Sequence, residues 1–152
     1  MQSTFSIWST SRQNFLKFLS DYSIEQLNYV PAHFNNNLIW NIGHVIVTQQ
    51  LLVYGAVNQP LLISTELVNR YKAGSKPTGE VTQSAADELK ELLISLQEKT
   101  IIDFENQLLI NPYTEKVTRS GFVLRTIEEA MEFNNYHEGM HLGMMMSLRK
   151  FV

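Results

Sequence analysis

Residues 127–150 read IEEAMEFNNYHEGMHLGMMMSLRK, and this stretch decides the fold class. Ile127, Met131, Met144, Met145 and Leu148 recur at helical spacing and form one apolar stripe. Thr126 followed by Glu129 is a capping-box pattern at the start. Glu128, Glu129 and Glu132 lie near that start and Arg149 and Lys150 at the end, so the charges complement the helix macrodipole. Followed through its middle, the series 127, 130/131, 134, 137, 141, 144/145, 148 reads Ile, Ala/Met, Asn, His, His, Met/Met, Leu. Two histidines stand where the pattern calls for core residues.

Working outward, three more segments carry the same period. Residues 3–20 place Phe5, Trp8, Phe15, Leu16 and Leu19 on one side. Residues 36–54 place Trp40, Val47, Leu51 and Tyr54 at steps of three and four, with Asn35 or Asn36 as candidate caps. Residues 83–105 repeat Ala86, Leu89, Leu93, Leu96 and Phe104, capped by Thr82 or Ser84. The link 21–35 contains Pro31 and room for one short helical turn. The link 55–82 is long, broken by Pro60, Gly74, Pro77 and Gly79, with a short helix expected from Ser64 to Tyr71. Such a link can run the length of a bundle and leave the second and third long helices parallel. In 106–125, the segments around Lys116-Val117-Thr118 and Phe122-Val123-Leu124 could pair as a small hairpin. The expectation is one all-α domain over residues 1–152, a four-helix bundle with a long crossover between its second and third helices.

Composition narrows the function. The chain has no cysteine, which removes disulfides, thiolate ligands and a cysteine nucleophile. Its net charge of −3, with signs mixed, makes nucleic acid an unlikely partner. At 44% hydrophobic it is too apolar for disorder. The N-terminus carries no basic-then-apolar leader, and no run of eighteen apolar residues predicts a membrane span. A cytoplasmic location is the default expectation, with no membrane partner.

The histidines carry the chemistry. His137 and His141 differ by about 40° around a helix axis, so both imidazoles can reach one metal ion. On the 36–54 helix the series 37, 40, 44, 47, 51, 54 reads Asn, Trp, His, Val, Leu, Tyr, so His44 also interrupts a core stripe near mid-helix. His44, His137 and His141 could meet at one depth and hold a divalent cation, leaving positions for water or substrate. Buried neutral imidazoles need partners and three together resist protonation; a cation resolves both. In a chain with four histidines such spacing also arises by chance, and a histidine on an apolar face is often a hydrogen-bonded core residue. His33, the fourth, reads as a surface loop residue.

His137-Glu138-Gly139-Met140-His141 also matches H-E-x-x-H, in which Glu138 would be the general base. No His, Asp or Glu follows His141 to serve as the downstream ligand. Glu138, about 100° round the helix from His137, therefore reads as a solvent or supporting residue rather than a catalytic one. Asn134 and Asn41 each lie one turn before a histidine and could orient a ligand or touch substrate. Trp40 could wall the pocket, and Met140, Met144 and Met145 could line it or fill the core. Arg12, between Trp8 and Phe15, either snorkels outward, the favoured reading, or meets an anionic substrate. Gly139 and Gly143 lie about 200° from the histidines two residues before them and mark the back of the helix. A neighbouring helix or a dimer mate could approach closely there.

Three segments resemble the DinB/YfiT-like family of bacterial four-helix bundles. Asn37-Leu38-Ile39-Trp40-Asn41-Ile42-Gly43-His44-Val45 is similar to its second-helix pattern. Tyr136-His137-Glu138-Gly139-Met140-His141-Leu142-Gly143 is similar to its H-x-x-x-H-x-G signature, and Ser147-Leu148-Arg149-Lys150 to the tail that follows. The resemblance implies a left-handed up-down-down-up bundle, a nickel or zinc ion on His44, His137 and His141, and frequent homodimers. It further implies a metal-dependent thiol S-transferase or isomerase as one activity among many unassigned ones. Where the family often has Gln, this chain has Met144, which makes the local pocket more apolar.

The leading expectation is a metal-dependent enzyme of thiol S-transferase or hydrolase type, acting on a small-molecule substrate with a thiol cosubstrate or water. The competing one is a non-catalytic dimeric bundle that binds a metal or small ligand in a stress response.

Overall fold

Helix starts are set by side chains that accept otherwise unpaired backbone amides. Ser23, Asn37, Ser64, Thr82 and Thr126 each accept from the amide three residues on, and each opens a helix. The computed structural model describes residues 1–152 and contains α1 (Gln2–Asp21), α2 (Ile24–Asn28), α3 (Leu38–Val53), α4 (Thr65–Tyr71), α5 (Gln83–Glu105) and α6 (Ile127–Leu148). Two details differ from expectation. Asn37, not Asn35 or Asn36, caps α3, because its amide also bridges back to the Asn28 carbonyl at 2.7 Å. The Glu129 carboxylate takes the Arg125 amide at 2.6 Å rather than that of Thr126, so the capping box is displaced by one residue.

The long helices α1, α3, α5 and α6 make the bundle, and their cross-contacts give its directions. Gln49 meets Thr100 and Tyr54 meets Asp103, so α3 and α5 run parallel. Arg12 meets Leu93 while Phe5 meets Phe104, so α1 and α5 are antiparallel. Thr4 meets Glu132 and Arg12 meets Glu138, so α1 and α6 are parallel. Asn36 reaches Met144 and Asn41 reaches His141, so α3 and α6 are antiparallel. The order is up-down-down-up. The crossover between α3 and α5 carries α4, and the expected hairpin forms from β1 (Lys116–Val117) and β2 (Val123–Leu124), with Val117 opposite Val123.

α3 is the central element. Every residue of it is buried except Thr48 and Leu51, which are partly exposed. The larger core cluster joins Phe15, Leu38, Ile42, Leu93 and Met145, and a smaller one joins Leu52, Leu124, Met131 and Phe133. α4 closes on α3 through one close approach. A Cβ at Gly43 would lie 2.5 Å from the Tyr71 ring, so only glycine lets the ring seat there. At Gly139 and Gly143 a Cβ would meet nothing within 4 Å, so no other part of the chain packs on that side of α6. No helix is long and apolar enough to cross a membrane.

Candidate metal centre

α3 and α6 bring His44, His137 and His141 together. The ring centroids are 5.1 Å apart for His44 and His137, 4.7 Å for His44 and His141, and 4.5 Å for His137 and His141. One nitrogen from each falls within 4.8 Å of the others, and the group could hold a metal ion. Trp40 stacks on His44 at 4.7 Å and 10° between planes, one helical turn away.

Two of the three rings are held in a defined tautomer. His44 Nδ1 lies 2.7 Å from the Tyr71 carbonyl, which can only accept, so Nδ1 carries the proton and Nε2 keeps its lone pair. His141 Nδ1 lies 2.7 Å from Asn41 Oδ1. The Asn41 amide nitrogen donates to the Asn37 carbonyl at 2.7 Å, which orients the side chain and makes Oδ1 the acceptor. His141 therefore also presents Nε2. His137 differs: its Nδ1 is buried without any protein partner. A buried ring nitrogen left unpaired is costly, and a bound cation with its water is a natural source of the missing partner. The residues present thus fit a divalent metal.

Electrostatics prepares the same state. Burial pushes the His137 pKa down to about 4, helped by His44. Burial pushes His141 down to about 3, helped by His137 and His44. His44 is also lowered, chiefly by burial; the Tyr71 carbonyl opposes this and the Arg119 cation adds to it. All three imidazoles are neutral near pH 7, the form that ligates metals.

The histidines line one wall of a cleft of about 480 Å³. Trp40, Thr48, Leu52, Phe133 and Met140 form most of the rest of that wall, and the α4–α5 turn and the β-hairpin supply the opposite side. The lining holds no carboxylate, so the cleft offers neither an acidic ligand nor a carboxylate base.

The other predicted site residues divide. Trp40 and Asn41 touch the histidines as described. Met144 does not line the cleft; it sits 42% exposed beside Asn36, and Met140 takes the pocket position instead. Asn134 turns away from the histidines and donates to Glu138 Oε1 at 3.0 Å. Glu138 is neither solvent-facing nor in the cleft. It is fully buried on the α1 side, where Oε1 also accepts from Trp8 Nε1 at 2.9 Å and Arg12 Nε at 3.0 Å, and Oε2 accepts from Ser11 at 3.1 Å. Arg12 Nη2 makes an ionic contact of 2.7 Å with Oε1 without the alignment of a hydrogen bond. Arg12 is likewise fully buried rather than snorkelling outward, and its Nη1 donates to the Leu93 carbonyl. The pattern H-E-x-x-H is therefore split by the helix: its histidines face α3 and its glutamate locks α6 to α1.

The family pattern described as the DinB superfamily matches residues 7–145. The chain belongs to the DinB superfamily. A crystal structure of a conserved protein of a locus from Enterococcus faecalis is similar in fold, with a TM-score of 0.69 and 14% sequence identity. That likeness covers 99% of this chain and 95% of the other. No curated protein matches the chain. Sequence reasoning missed Tyr71 and Thr48 as neighbours of His44. The signal for Tyr71 was Gly43, a glycine in a helix interior, where it costs roughly 1 kcal/mol relative to alanine unless close packing requires it.

Proposed function

We propose that this DinB-superfamily chain is a metal-dependent enzyme that activates an exogenous nucleophile, a thiol or water, for attack on a small electrophile. The observation that carries this is the combination of three neutral, convergent imidazoles with a cleft that lacks any carboxylate or cysteine. A divalent cation on three histidines lowers the pKa of a thiol or water bound to it and leaves that ligand reactive at neutral pH. The all-nitrogen donor set suits zinc or nickel.

The protein's own part is positioning. Tyr71 and Asn41 hold two imidazoles through Nδ1, which leaves Nε2 of each as the ligating nitrogen, with the Thr48 hydroxyl 3.4 Å from that of His44. Trp40, Leu52 and Phe133 make an apolar wall that restricts water. In thiol transfer the sulfur forms a bond to the electrophilic carbon, and the leaving group departs with the electron pair of the bond that breaks. The thiol proton passes to solvent, since no side-chain carboxylate stands in the cleft.

Protein purified without a histidine tag is expected to carry about one divalent ion per chain, and His141→Ala to lose it. Conjugation of a thiol to a reactive alkyl or epoxide probe is expected in the loaded protein and not after chelation. Unchanged metal content in His141→Ala rejects the site. Bound metal with no turnover over a broad set of thiols and electrophiles favours a non-catalytic binding module instead.

A further inference from the structure

The hairpin contributes two cations to the cleft, and neither is paired. Lys116 and Arg119 both line it, whereas the ion pairs of the chain are Arg12–Glu138, Lys99–Asp103 and Arg125–Glu115. No Asp or Glu offsets them among the lining residues, in a chain whose net charge is −3. Such a concentration of one sign in a cleft focuses the field on whatever enters.

The turn that carries Arg119 is built rather than loose. Gly121 N donates to the Thr118 carbonyl at 3.0 Å, and Phe122 N donates to Thr118 Oγ1 at 3.0 Å. Gly121 takes φ +87°, the left-handed conformation that suits glycine. Phe122 anchors the turn on α6, with ring centroids 5.4 Å from Phe133 and 5.1 Å from Tyr136. Phe133 in turn lies 6.1 Å from the His137 ring, so the anchor and the histidines share one helix face. On the same side of the cleft, a Cβ at Gly74 would sit 3.9 Å from Arg119 Nη2. The guanidinium therefore lies against the α4–α5 turn, on the side of the cleft that faces the histidines.

We propose that Arg119, supported by Lys116, is the specificity determinant of the cleft and binds an oxyanion, a carboxylate or phosphate, on the small molecule whose reacting end meets the three histidines. This rests on reading the cleft as the reaction site. Arginine's planar fork pairs with such groups in a bidentate manner. The Ser120 hydroxyl, on the same turn and in the same lining, lies 3.4 Å from Thr118 Oγ1 and would add a neutral donor to these two cations.

The test uses full-length protein loaded with cobalt(II), whose absorption reports on ligands at the metal. Two thiols that differ in charge, 3-mercaptopropionate and 3-mercaptopropionamide, are titrated into wild type, Arg119→Gln and the remote surface control Lys90→Gln. Wild type and the control are expected to prefer the carboxylate about tenfold, with the preference falling as salt rises. Arg119→Gln is expected to bind the amide as before and to lose the preference. Equal binding of both thiols by wild type, or an unchanged preference in Arg119→Gln, overturns the proposal while leaving the proposed function intact. If neither thiol alters the absorption, thiol activation fails, and calorimetry with succinate and with inorganic phosphate decides the anion site alone. Binding of either that weakens about tenfold in Arg119→Gln supports the site and names the oxyanion, and no binding of either overturns it.

Discussion

The Tyr71 carbonyl accepts a hydrogen bond from His44 Nδ1 at 2.7 Å while the Tyr71 ring covers Gly43, one residue earlier on α3. A single residue at the end of α4 thus both seals the core and orients a candidate ligand. Partners of this kind fix the tautomer and direction of a metal-binding imidazole, and their loss typically lowers metal affinity by about 10- to 100-fold.

Gly43→Ala tests that coupling. The new Cβ would strike the Tyr71 ring at 2.5 Å, so α4 must shift. We expect a loss of about 1–3 kcal/mol by chemical denaturation, as for other overpacked cores, with weaker metal retention in a chelator competition. Gly139→Ala, on the open side of α6, should instead be neutral or slightly stabilising. Equal effects of the two variants would show that the Tyr71 contact is unimportant.

Asn41→Ala removes the acceptor for His141 Nδ1 without altering any of the three histidines. Metal affinity should fall by about 10- to 100-fold with the fold retained, as judged by circular dichroism. An unchanged dissociation constant for zinc would mean that His141 is oriented by something else.

Glu138→Gln separates the structural glutamate from a catalytic one. It leaves the Arg12 cation buried and unpaired. Removing one partner of a buried pair costs about 3–5 kcal/mol, and the melting temperature should drop accordingly. Metal content should be unchanged, because Glu138 touches none of the histidines. Replacing both partners, as Arg12→Met with Glu138→Leu, should recover much of the loss. A fully stable Glu138→Gln with abolished turnover would instead revive a general-base role.

Acid should destabilise the metal-free protein in a defined window. His137 is lowered to about 4 and His141 to about 3 from an ordinary 6.5, so between those values the unfolded chain binds protons that the folded chain refuses. Stability therefore rises with pH across this interval, and it is lost as pH falls below 6.5 toward 4. Between pH 7 and pH 5 the melting temperature of His137→Asn should fall less than that of wild type, because the variant lacks one of these groups. Parallel curves would show that His137 ionises as freely folded as unfolded.

Chelation gives the complementary result. A cation bound only by the folded state stabilises it, so extracting the metal should lower the melting temperature and restoring zinc or nickel should raise it again.

Much of the bundle was legible because its signals are local. The 3.6-residue stripes, the caps Thr82 and Thr126, the short helix opening at Ser64 and the long link after α3 each concern residues close in the chain. His137 and His141 were legible for the same reason, one turn apart on one helix. His44 could be added because a histidine on a core stripe breaks a pattern. Glu138 was misjudged because its partner is Arg12, on another helix and equally out of pattern. Each residue alone suggests exposure, and only as a pair do they satisfy each other in the interior. Arg119 and Lys116 carried no signal at all, since a charge in a short hairpin has no periodicity to violate.

The amino-acid sequence by itself determined the four long helices, the crossover that makes α3 and α5 parallel, and the three imidazoles that interrupt apolar stripes. Tertiary structure alone decided which nitrogen His44 and His141 present, which face of α6 Glu138 serves, and that the hairpin cations line the cleft. The physical reason is range. Periodicity and capping act within a few residues, whereas a tautomer, a buried ion pair and a cleft are set by groups that meet only after the helices pack.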